Sequence, residues 1–148
     1  MGSNVIERLI EAPPGSPVAE AIAARGELMR ASQANYDAVL TPADPGGLAR
    51  PLRFALAARV ARLGGDEQLA DHYAADGALP EPDGRLAAIL RHVELIATTP
   101  RDASRADIAA LQAAGVATAD IVRLSQLIAF VSYQLRLIAG LRLIGATA

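Results

Sequence analysis

The chain is expected to be all-α, on three observations. Apolar residues recur at spacings of three and four through almost every segment. Capping residues and helix-ending glycines and prolines punctuate those segments. No run of alternating apolar and polar residues, the mark of a half-buried strand, competes with them.

The elements follow in order. Residues 1–16 read as an N-terminal extension containing a short amphipathic turn around Arg8. Ser16 followed by Pro17 is an N-cap with proline at the first helical position, and it opens a helix over residues 18–40. Residues 41–47, with two prolines and two glycines, close it as a loop. A second helix is expected over residues 49–63, with Pro51 in its first turn. Leu52, Leu56, Val60 and Leu63 form its apolar stripe, and Gly64-Gly65 ends it. Residues 66–75 form a short third helix capped by Asp66. Residues 77–84 are a loop, and residues 85–97 a fourth helix. Ser104 with Asp107 three residues on resembles a capping box, and the helix it opens ends at Gly115, a left-handed C′ glycine. Thr118 is expected to cap the last helix, with Asp120 stabilised by its positive end. The count is about six helices in one domain spanning residues 1–148.

Composition narrows the function. The formal net charge is −2, and the arginines are spread along the chain, so there is no concentrated basic face for nucleic acid. With no cysteine, disulfides, thiolate nucleophiles, zinc–thiolate sites and iron–sulfur clusters are excluded. Asp66 and Glu67 read as an N-cap and a solvated charge rather than metal ligands beside His72, and no cofactor is implied. The amino terminus lacks a signal-peptide pattern; Met1-Gly2 hints at myristoylation, but its context fits an amphipathic turn better. The stretch 121–144 is interrupted by Arg123, Arg136 and Arg142, and its longest uncharged piece is well short of the ~20 residues that span a bilayer. A cytoplasmic protein with no membrane partner is expected.

Ile121, Leu124, Leu127, Phe130, Val131, Leu135, Ile138 and Leu141 place apolar side chains around nearly the whole last helix. Such a helix needs cover on all sides. The expectation is a homo-oligomer (dimer, trimer or hexamer) in contact through this helix; the alternative is a central helix wrapped by the other five.

The segment from Gly64 to Tyr73, GGDEQLADHY, and two later stretches carry a resemblance. The order of helices and these motifs resemble the carboxymuconolactone decarboxylase and alkylhydroperoxidase D-like superfamily, in particular its peroxidase-related branch. There a glutamate-bearing helix leads into C-x-x-C-x-x-x-H. His72 falls on the family histidine, Gly65 and Gln68 on the two cysteines, and Arg53, twelve residues before Gly65, on the glutamate. Downstream, ALQAAGV with Asp120-Ile121 resembles the family's A-L-x-x-A-G segment. FVSYQLR resembles its F-N-x-x-N-R-like signature, with Arg136 on the arginine and Ser132 on an asparagine. The resemblance spans roughly residues 17–143 and implies an oligomeric helical fold.

It also implies a lost activity. Thiolate attack on a peroxide has no counterpart in Gly65 or Gln68, and Arg53 cannot accept a proton, so thiol peroxidase chemistry is not expected. His72 remains as a candidate general base, its tautomer set by Gln68 one helical turn before it. Arg53 and Arg136, with Ser132 and Tyr133 nearby in sequence, would bind a small acidic or lactone-like molecule. The plainer alternative makes His72 a half-buried helix residue bonded to a carbonyl, and Arg136 a salt-bridge residue; His92 reads as structural. Two function classes result: a cysteine-less family member binding or acting on a small acidic molecule, or a non-catalytic structural partner, for instance of a cysteine-containing paralogue.

Overall fold

A computed structural model describes residues 4–147; Met1 and Gly2, and with them the myristoylation reading, lie outside the described residues. The described residues are all-helical: α1 (Val5–Leu9), α2 (Pro17–Ala24), α3 (Gly26–Leu40), α4 (Arg50–Leu63), α5 (Glu67–Ala74), α6 (Gly84–Thr98), α7 (Arg105–Ala113) and α8 (Thr118–Ala146), with a 3₁₀ turn at Pro100–Asp102.

The count exceeds six for two reasons. The expected helix over residues 18–40 breaks at Arg25, which leaves helical geometry at φ −116° and ψ 31° just before Gly26, a weak helix former. Both halves, α2 and α3, then pack on α8. The N-terminal extension also holds a helix. Asn4 caps α1 by accepting from the Ile6 amide at 2.9 Å, and its Nδ2 donates to the Met29 carbonyl at 2.5 Å. Val5, Ile6 and Ile10 are buried, so this segment belongs to the core.

Local signals set most of the remaining ends. Ser16 accepts from the Ala19 amide, Asp66 from that of Leu69, and Ser104 and Asp107 close their capping box. Gly115 stands at φ 83°, the expected left-handed stop. Thr118 departs from expectation: it is the first residue of α8, preceded by Ala117, and makes no cap. Asp120 lies in the first turn of α8, as expected, and also holds the 41–49 loop. It accepts from the Gly47 amide at 3.0 and 3.1 Å and from Arg123 at 2.9 Å.

Two helices run through the core. α4 buries Leu52, Phe54, Leu56, Ala57, Val60 and Ala61 against α5, α6 and α8, while Leu63, expected in its apolar stripe, is exposed. α8, 29 residues and about 43 Å long, is the central helix. Leu127, Phe130, Val131 and Ile138 are all buried within the chain by its own helices, α4, α2 and α3 foremost, and so need no second subunit to cover them. Among the described residues it is the one helix long and apolar enough to cross a membrane by length and composition. Asp120 and Gln134 are buried along it, and Gln134 accepts a hydrogen bond from Tyr73 of α5.

Candidate functional site

His72 occupies the last turn of α5, whose placement depends on its other end. The Asp66 cap holds the first turn, and Arg142 of α8 donates to Asp66 at 2.6 Å and to Gln68 at 2.7 Å. Arg142 thereby ties α5 to α8, α4 packs along it, and the half-buried His72 ring meets α3: its Nε2 lies 3.2 Å from the hydroxyl of Tyr36.

Tyr36 sits at the centre of an aromatic group. Its ring centroid lies 6.1 Å from Tyr73 in a stacked pair, 6.3 Å from Phe54 and 6.4 Å from Phe130 edge-on, and 6.1 Å from His72. Burial holds the Tyr36 phenol above its ordinary pKa, opposed by Arg8 and Arg50. Burial, and then the Arg8 guanidinium, hold His72 below its ordinary pKa, with Asp76 opposing. At neutral pH the pair is therefore a neutral imidazole and a protonated phenol. It bonds in either sense, Tyr36 O–H into a bare Nε2 or Nε2–H into the phenol oxygen. Arg50 completes the surroundings, paired with Asp76 at 3.3 Å and lying 5.2 Å over the Phe54 ring.

The residues singled out from the sequence are mostly engaged elsewhere. Gln68 makes no hydrogen bond to His72, because its Oε1 accepts from Arg142. Arg53 is buried, only 2 % exposed, and its guanidinium donates to three main-chain carbonyls: Leu48 at 2.7 Å, Val39 at 2.8 Å and Pro45 at 2.8 Å. Burial and then Arg123 lower its pKa, against Asp120 and Asp44. Its three donors hold the 41–49 loop. Arg136 is exposed and donates to the Ser132 carbonyl one turn back in α8. Tyr133 faces a groove between α3 and α8.

Gly65, at the first-cysteine position, stands at φ 82° and closes α4: its amide bonds the Arg62 carbonyl, and the Asp66 amide that of Ala61. A cysteine there would take on a left-handed backbone. His92 is buried in α6, and burial lowers its pKa against Asp107. No group of three His, Asp or Glu side chains able to hold a metal occurs among the described residues.

Tyr36, Arg8 and Arg50 were not marked by any motif. Tyr36 lies 36 residues from His72, and no local spacing links the two positions. Grooves of about 40 to 730 Å³ mark the described surface, and His72 lines none of the five best formed. Comparison with protein-family models, with curated proteins and with solved structures found no match to this chain.

Proposed function

We propose that the chain is a cysteine-less relative of the carboxymuconolactone decarboxylase and alkylhydroperoxidase D-like superfamily, without thiol peroxidase activity, that binds a small acidic molecule beside His72. Support for the family reading is the succession of α4, a Gly64-Gly65 turn and α5 bearing His72, backed by the long α8. The observation that carries the ligand reading is the Tyr36–His72 pair at 3.2 Å under the positive influence of Arg8. A neutral imidazole accepts a proton and a phenol donates one, which is the equipment of acid–base chemistry on a carboxylate-bearing substrate. Arg8 and Arg50, rather than Arg53 and Arg136, are then the anion-recognising cations.

The test is thermal stabilisation by succinate, adipate and benzoate against their amides. The acids alone should raise Tm, and Arg8→Ala and His72→Ala should each weaken the rise. Equal response to acids and amides refutes the ligand reading. Dithiol-dependent turnover of hydrogen peroxide that survives His72→Ala refutes the reading of lost peroxidase activity.

A second reading, a non-catalytic structural partner, for instance of a cysteine-containing paralogue, draws support from Arg53 and Gln68. Both stand at motif positions and both are committed to holding the fold. Homo-oligomer formation through α8 belongs to the same proposal, resting on the apolar side chains the helix leaves exposed: Val122 at 54 % and Leu143 at 65 %. Sedimentation of wild type and Leu143→Glu distinguishes an assembly through this face from a monomer.

A further inference from the structure

A groove of about 540 Å³ runs between α3 and α8, away from His72. Leu28, Ser32 and Asn35 line it from α3, and Gln126, Phe130 and Tyr133 from α8; the remaining wall is alanine and valine, and none of the lining residues is charged. Two of these residues have unmet hydrogen-bonding capacity. The Ser32 hydroxyl, on a residue 3 % exposed, and the Tyr133 hydroxyl are both shut off from solvent and have no hydrogen-bond partner. A mid-helix serine ordinarily bonds back to a carbonyl one turn earlier, and a buried tyrosine hydroxyl ordinarily finds a partner. Unsatisfied buried polar atoms are few in folded proteins, and two of them border one uncharged groove here.

We propose that the α3/α8 groove is a binding site for a small, neutral, largely apolar molecule carrying one hydroxyl or carbonyl group, which the Ser32 and Tyr133 hydroxyls recognise once side-chain rotation turns them towards it. Its volume falls within the range of small-molecule pockets, and its composition, apolar walls with a few polar groups, is that of such sites. An uncharged wall discriminates against ions, whose desolvation it would not repay. Neither hydroxyl needs to ionise, since each both donates and accepts. This site shares no residue with the Tyr36–His72 pair and stands or falls independently of the acidic-molecule reading.

The experiment is a two-dimensional NMR titration of the full chain with 1-octanol, octanoate and octylammonium. Saturable shifts at Ser32, Ala129 and Tyr133 are expected with 1-octanol, with the two ions bound at least about tenfold more weakly. Ser32→Ala and Tyr133→Phe should each lower 1-octanol affinity about fivefold. In the absence of ligand the same variants should match or exceed the wild-type Tm, because each removes an unpaired hydroxyl, so a folding defect does not obscure the result. Ala129→Phe, which fills the groove, should abolish binding. The proposal is overturned if octanoate binds as tightly as 1-octanol, or if the hydroxyl variants keep wild-type affinity. It is equally overturned if the shifts follow protein concentration rather than octanol, which would make the groove a contact between copies of the chain.

Discussion

Arg53 donates to the main-chain carbonyl of Leu48 at 2.7 Å, and from that anchor its other two donors reach Val39 and Pro45. The loop between α3 and α4 is thereby held from inside by one guanidinium. From outside, Asp120 accepts from the Gly47 amide, and Arg85 donates to the Gly47 carbonyl at 2.9 Å. Arg53→Met should leave three carbonyls without this donor and cost about 3 kcal/mol or more in urea unfolding. Arg53→Lys should cost about 2 kcal/mol, since an ammonium on a flexible stem lacks the planar fork that spans three acceptors. A loss below about 0.5 kcal/mol in Arg53→Met would contradict the staple.

The two histidines tie stability to pH. Burial is the largest influence on both, and it holds His72 and His92 below their ordinary value of 6.5. As pH falls, the unfolded chain binds these protons first, so the stability they contribute is whole above about 6.5 and is lost as pH drops from there through the folded-state values. Tm should decline from about pH 7.5 to about pH 5.5, and a His72→Gln/His92→Gln double variant should decline less. Histidine ring resonances titrating at or above the unfolded value would contradict this.

Gly77 and Gly84 bracket one loop and should respond oppositely to alanine. A Cβ on Gly77 would stand 2.8 Å from the Ala55 amide nitrogen, a main-chain atom of α4 that cannot swing aside. Gly77→Ala should cost about 1–3 kcal/mol. Gly84, at the first position of α6, has nothing within 4 Å of its Cβ position. Gly84→Ala should be neutral or stabilise by about 0.5 kcal/mol through the unfolded chain. Denaturant midpoints measured side by side decide both.

Charges introduced on α8 should separate its core face from its outer face. Val131 is fully buried, so Val131→Glu should unfold the chain rather than dissociate an assembly, at a cost above about 4 kcal/mol. Val122 is 54 % exposed, and Val122→Glu should change monomer stability by less than about 0.5 kcal/mol. Circular dichroism with sedimentation on each variant reads folding and assembly independently. A folded Val131→Glu protein would refute the burial.

The sequence by itself determined several helix ends, though not the break at Arg25 or the existence of α1. Ser16, Asp66, the Ser104–Asp107 box and Gly115 act within one turn of their own positions, so the information sits in a few neighbouring residues. The all-α class follows from the same short-range periodicity. The tertiary structure alone decided the partners of the long polar side chains. Arg53 and Arg136 read from sequence as two cations of one carboxylate site, yet one holds a loop and the other lies exposed along α8. His72 found Tyr36 instead of Gln68, because α8 had already claimed Gln68 through Arg142, 74 residues away. It also decided the cover for α8, which the chain's own α1–α4, α6 and α7 supply along its buried face. Helical periodicity states which side chains share a face, but the neighbour that meets that face comes from a distant segment. Only simultaneous packing of all the helices brings the two together.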